Sequence, residues 1–164
     1  MPILPAFSVD FVSRSPDQTR RLGMRMGALL RRGDVLCLEG DLGSGKTTFV
    51  QGLAQGWGSV DAVTSPTFVL VNQYRRLDGG LMHHLDAYRL ESAAEAVDLD
   101  LDAMLNEGVL VVEWADRITE VLPAENLVVR FSWVNEEQRS LLFLPIGESY
   151  KKMLDEFKRM AFGG

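Results

Sequence analysis

The segment Gly40-Asp41-Leu42-Gly43-Ser44-Gly45-Lys46-Thr47 constrains this chain more than any other. It meets the pattern G-x-x-x-x-G-K-[ST] without mismatch, and its flanks come in the order the pattern needs. Residues 34–39 form a short apolar run that reads as a buried strand, and residues 47–55 read as a helix. Glycines in such a loop let successive backbone N–H groups curl around phosphates, and the helix N-terminus adds partial positive charge. Lys46 can then reach β- and γ-phosphates, and the Thr47 hydroxyl can ligate magnesium. The loop alone leaves base, reaction and partner open, because kinases, GTPases, ATPase switches and transport motors share it.

The rest of the chain supplies strands and helices to build around that unit. Residues 7–12 alternate and predict an edge strand. Ser15-Pro16-Asp17-Gln18 predicts a helix start, with Ser15 as N-cap, and the helix runs to Arg31-Arg32-Gly33. Gly56-Trp57-Gly58-Ser59 reads as a break. Residues 68–74 and 81–85 flank the turn at 77–80 and predict a β-hairpin. Ser92 and Glu95 predict a capping box opening a short helix at 93–99, with 101–105 as a possible extension. Residues 108–113 form a continuous apolar run, hence a buried strand. A short helix at 115–122, a terminal hairpin of 126–133 with 139–144, and a last helix at about 149–160 complete the reading. The expected fold is a single α/β domain over 1–164: a P-loop NTPase-like, mixed but mostly parallel sheet, flanked by helices, with antiparallel hairpins. The strands before the glycine loop and at 108–113 are the expected parallel centre.

Composition narrows the function. A net charge of −6 over 164 residues argues against unaided nucleic-acid binding, so contact with RNA would run through a partner. Cys37 is the single cysteine, which forbids a disulfide within the chain and suits a reducing compartment. No apolar run nears the ~20 residues that span a bilayer. No signal peptide is apparent at the N-terminus, and the expected location is the cytoplasm.

Hydrolysis would need carboxylates near magnesium and a group that orients water. Asp86 and Glu113 both end predicted strands, where ligands of open α/β sheets bind. Each could also be a solvated strand terminus. Thr67, in Ser65-Pro66-Thr67-Phe68, could close on the γ-phosphate or simply lead into a strand. Trp114 could stack on a base or a partner, or pack. His83 and His84 point to opposite faces of a strand, so packing or a hydrogen bond suits them better than metal ligation. Arg89 could neutralise phosphate or make a structural ion pair. The motif Asn-Lys-x-Asp that reads guanine is absent, a weak preference for ATP.

These residues, in this order, resemble the TsaE family, formerly called YjeE. The resemblance rests on residues 40–48, Ser65-Pro66-Thr67-Phe68, His84-Leu85-Asp86-Ala87-Tyr88-Arg89-Leu90 and Val112-Glu113-Trp114, with Thr19 and Leu22-Gly23 in the early helix. It covers roughly residues 15–139. It implies a small bacterial ATPase using ATP (leaving ADP) and Mg2+, acting with the TsaD and TsaB proteins in forming threonylcarbamoyladenosine in tRNA. TsaD would transfer the threonylcarbamoyl group; the ATPase would be weak alone and would meet tRNA only through the complex. Matched motifs imply that Asp41, Leu42, Gly43, Ser44, Gly45, Lys46, Thr47 and Thr48 surround the phosphates. They imply a Walker B-like Asp86, a Glu113 that binds magnesium or orients water, Trp114 beside the nucleotide, and Thr67 as a switch threonine. Thr19 and Arg139 match family positions near the nucleotide. Ala115-Asp116 departs from relatives that carry proline after the tryptophan. Two other readings remain at this point: a small-molecule kinase, for which Arg117 alone makes a thin lid, and an adaptor that binds ATP without hydrolysis.

Overall fold

The computed structural model of the chain describes residues 7–41, 43–63 and 71–161. The described elements, in chain order, are β1 (Val9–Ser13), α1 (Pro16–Gly27), β2 (Val35–Glu39), α2 (Lys46–Trp57), β3 (Val71–Arg75), β4 (Leu81–Asp86), α3 (Ala93–Val97), α4 (Leu101–Glu107), β5 (Gly108–Glu113), β6 (Asn126–Trp133), β7 (Arg139–Ile146) and α5 (Glu148–Ala161). The seven strands form one sheet in the order β1-β7-β6-β2-β5-β4-β3. The four central strands β6, β2, β5 and β4 are mutually parallel. Antiparallel pairings add β7 and β1 on one flank and β3 on the other. The expected parallel centre, β2 beside β5, is therefore present. Every residue of β5 is buried, as its unbroken apolar run requires of a strand covered on both faces.

Alternation along the strands sorts two cores. Leu36, Leu38, Val109 and Val111 face α1, α2 and α5, together with Phe49, Leu53 and Phe157. Val35, Cys37, Leu110 and Val112 face the opposite layer, with Ala96, Leu101 and Ile118. Cys37 is buried there, and burial pushes its thiol up to about 12, the conduct of a packed apolar residue. On the first face, Tyr150 of α5 accepts a hydrogen bond from the Val35 amide through its hydroxyl at 2.9 Å, tying the last helix to β2.

The helices α1 and α2 approach backbone to backbone. Each carries two glycines four residues apart, Gly23 and Gly27 on α1, Gly52 and Gly56 on α2. A Cβ at Gly52 would lie 2.0 Å from the Arg20 carbonyl oxygen, and one at Gly56 would lie 1.9 Å from that of Met24. Gly56 therefore sits inside α2 rather than breaking it; the helix ends at Trp57, capped by left-handed Gly58.

Other boundaries also differ from expectation. Helix α1 stops at Gly27: Leu29 and Leu30 already bond three residues back, to the carbonyls of Met26 and Gly27, and the Asp34 carboxylate then accepts from the Arg31 amide in the turn before β2. Ser92 makes no capping bond with its side chain. Helix α4 is separate from α3, since left-handed Asp100 starts it afresh by accepting from the Ala103 amide. The segment at 115–122 holds two 3-10 turns, Ala115–Arg117 and Thr119–Val121, instead of a helix. The start of the expected strand at 68–74 lies outside the described residues.

Candidate functional site

The carboxyl ends of β2, β4 and β5 meet at one edge of the sheet, and side chains there are set by strand parity. Asp86 and Glu113 pair directly across β4 and β5. Both lie on the face that α2 covers, in phase with Met82 and Val111. The loop after β2 passes through left-handed Gly43 (φ 76°) and Gly45 (φ 102°) before α2 begins at Lys46. A side chain at either position would be strained by that backbone. No side chain caps the start of α2, so its first amides are directed into the loop.

Around this loop lies a cleft of about 340 Å³. Of the residues singled out in the sequence, the structure brings together Thr19, Asp41, Gly43, Ser44, Gly45, Lys46, Thr47, Thr48, Asp86, Glu113, Trp114 and Arg139 on its walls. Leu42 and Thr67 lie outside the described residues. Arg89 is exposed at the end of the 3-10 turn Ala87–Arg89 and does not line the cleft.

Lys46 is 5% exposed and folded back on its own loop. Its Nζ donates to the Gly40 carbonyl and, at 3.1 Å, to that of Asp41. The same ammonium lies 4.0 Å from the centroid of the Trp114 ring. Trp114 reaches it because the chain turns left-handed there (φ 59°), a conformation a bulky residue adopts only when its surroundings hold it. Burial pushes the Lys46 pKa down, while the charges of Glu113, Asp41, Asp86 and Asp116 oppose that shift.

The carboxylates are anchored through one oxygen each. Asp86 Oδ1 accepts from the Tyr88 amide at 3.0 Å. Glu113 Oε2 accepts from His84 Nε2 at 2.5 Å, and His84 Nδ1 bonds the Tyr74 hydroxyl at 2.9 Å. His84 thus makes hydrogen bonds, and it faces away from His83, as strand parity requires. On the opposite wall, Thr19 bonds Ser13 through their hydroxyls at 2.6 Å. Arg139 Nε donates to the Gly43 carbonyl at 3.2 Å, and its Nη1 to that of Asn135 at 2.7 Å.

Sequence reasoning missed several wall residues. The sequence marks Ser15 and Pro16 only as a helix start, yet the α1–α2 glycine contact brings them to the cleft. Glu136 and Glu137, in the turn between β6 and β7, also line it and carry no motif. The Tyr74–His84–Glu113 contact left one signal: His84 and Asp86 are two apart on a strand, hence on one face.

The residues present fit a bound phosphate chain. The Ser44 hydroxyl is buried with no hydrogen-bond partner among the described residues, beside uncapped helix amides and an ammonium satisfied only by loop carbonyls. Thr47, Asp86 and Glu113 offer the hard oxygen donors that suit magnesium. Among the described residues no cluster of three or more His, Cys, Asp or Glu could cage a metal unaided. A magnesium ion here would draw its other ligands from phosphate and water.

A parallel-centred α/β sheet, a glycine loop feeding a helix N-terminus, and carboxylates on the neighbouring strand ends define a P-loop NTPase-like protein. The sequence comparisons make this specific. The family model described as threonylcarbamoyl adenosine biosynthesis protein TsaE matches residues 13–141, and the chain belongs to the TsaE family. The tRNA threonylcarbamoyladenosine biosynthesis protein TsaE of Bacillus subtilis is 40% identical over 147 residues, 88% of this chain and 90% of that protein. Its Streptomyces coelicolor counterpart is 47% identical over 113 residues, 68% of this chain and 76% of the relative. The crystal structure of Bacillus subtilis YdiB superposes with a TM-score of 0.78 at 34% identity, covering 93% of this chain and 95% of that one.

Proposed function

We propose that this chain is a partner-dependent ATP hydrolase serving tRNA threonylcarbamoyladenosine biosynthesis, the process for which its relatives are named. The observation that carries the reading is the convergence of Lys46, Asp86 and Glu113 on one cleft beside the glycine loop. The amides of residues 43–48 cradle the phosphates of ATP. Lys46 exchanges the carbonyls of Gly40 and Asp41 for phosphate oxygens, which restores a full charge partner to a buried ammonium. Thr47 and Asp86 hold magnesium, with Glu113 as a further ligand or as the group that orients water. Magnesium, when bound, neutralises charge on the phosphates. Trp114 walls the nucleotide side and confines the Lys46 ammonium. Thr19 and Arg139 close the opposite side, and Thr67 serves as the switch threonine. TsaD and TsaB are the partners, TsaD transfers the threonylcarbamoyl group, and tRNA is met only through their complex.

ATP hydrolysis by the chain alone and with TsaD, TsaB and tRNA tests this reading. Slow turnover alone and a marked rise with partners are expected. Lys46→Ala and Glu113→Gln should each lower the partnered rate ~100-fold or more. A Glu113→Gln variant that turns over normally with partners would make the chain a nucleotide-sensing adaptor. A phosphorylated small molecule formed without TsaD and TsaB would make it a kinase.

A further inference from the structure

Glu113 is buried, and one of its two oxygens is committed inside the protein. A carboxylate only accepts hydrogen bonds, so His84 Nε2 carries the hydrogen in the 2.5 Å contact to Oε2. With that tautomer, Nδ1 of a neutral ring accepts, and the Tyr74 hydroxyl donates to it at 2.9 Å. Burial pushes the Tyr74 phenol up to about 12, which keeps the donor hydrogen in place. Asn72 bonds Tyr74 in turn. The bonds thus run one way across three strands, from β3 through β4 to β5, on the face covered by α2. His84 is fully buried and does not itself line the cleft; it meets the wall only through Glu113. A buried imidazole with both ring nitrogens engaged has few ways to rotate, so it fixes what it holds.

Resting on the reading of Glu113 as the water-orienting carboxylate, we propose that Tyr74 and His84 are positioning residues for the hydrolytic step. They hold Oε2 of Glu113 so that the other carboxylate oxygen is the one presented to the cleft. Neither touches nucleotide; both act through Glu113. A single oxygen of fixed direction restricts the attacking water to one line of approach.

Four variants and nitrogen-15 NMR test this. Nitrogen-15 NMR of the ligand-free chain should show His84 as the Nε2–H tautomer, with a downfield ring proton that shifts in Glu113→Gln. His84→Leu, which removes the donor, should lower kcat with partners ~10–100-fold while the affinity for a fluorescent ATP analogue stays within ~3-fold. His84→Gln, whose amide nitrogen can reach the Nε2 position, should recover most of the loss, and Tyr74→Phe should show a smaller kcat loss with unchanged affinity. An Nδ1–H tautomer, wild-type kcat in His84→Leu, or equal impairment of folded His84→Leu and His84→Gln would overturn the proposal. Should His84→Leu fail to fold, Tyr74→Phe and the spectrum decide. Absence of ATP hydrolysis by the wild-type chain with its partners would instead refute the hydrolase reading, and the tautomer would still report whether His84 holds Glu113.

Discussion

His83 and His84 are neighbours in sequence with opposite surroundings. His84 joins the hydrogen bonds that end on Glu113, whereas His83 points to the other face, its Nε2 making no hydrogen bond among the described residues. Its nearest charge is Glu107, whose Oε2 is 3.5 Å away. Burial lowers the His83 pKa below its ordinary 6.5, and Glu107 offsets only part of that shift. Between the lowered value and 6.5 the unfolded chain binds a proton that the folded chain does not, so stability falls as pH drops through this window. His83→Gln should flatten that fall, as read by urea denaturation at about pH 7.5 and about pH 5.5. An equally steep fall in the variant would show that other groups govern acid sensitivity. Under the proposed function, the contributions of Lys46 and Glu113 should appear in nucleotide binding and turnover rather than in the stability of the ligand-free chain, each substitution removing a different part of one cleft.

Helices α1 and α2 set the shape of the cleft by approaching closely. Their paired glycines let the backbones meet, and this brings Ser15, Pro16 and Thr19 beside the loop at Gly45. Gly52→Ala should therefore act twice. The added methyl, 2.0 Å from the Arg20 carbonyl oxygen, forces the helices apart and should cost ~1–3 kcal/mol or more in a urea melt. It should also weaken nucleotide binding measured at a temperature where the variant is fully folded, because the Thr19 wall moves. Unchanged stability would mean that the helices shift without cost. The Ser15 cap makes a further test at this scale. Its hydroxyl accepts from the Gln18 amide at 3.1 Å, and Ser15→Ala should lower stability by ~1 kcal/mol.

For the molecule as a whole, ligand and fold are linked. If the loop binds ATP only when folded, ATP at about 100 times its Kd should stabilise the chain by ~2.7 kcal/mol. That should raise Tm by several degrees, and chelating magnesium with EDTA should remove much of the rise. Lys46→Ala should keep the Tm of the ligand-free chain within a few degrees and lose the response to ATP. An equal ATP response in that variant would place nucleotide binding outside this loop. Among the described residues no helix is long and apolar enough to cross a membrane.

What the sequence by itself determined was the local order: the strand–loop–helix at Gly40 to Thr47, the buried run of β5, and the hairpins of β3 with β4 and β6 with β7. These depend on neighbours within a few residues, and apolar periodicity and glycine spacing encode them directly. Asp86 and Glu113 were found the same way, as carboxylates at strand ends. Tertiary structure alone decided what lies opposite what. Only the parallel pairing of β4 with β5 put Asp86 beside Glu113 and His84 within 2.5 Å of it. Only the turn at Trp114 laid its ring against Lys46, and only the glycine contact of α1 with α2 brought Ser15 to the cleft. The reason is physical. Such contacts join residues far apart in the chain, and their geometry follows from which faces the cores of the sheet bury.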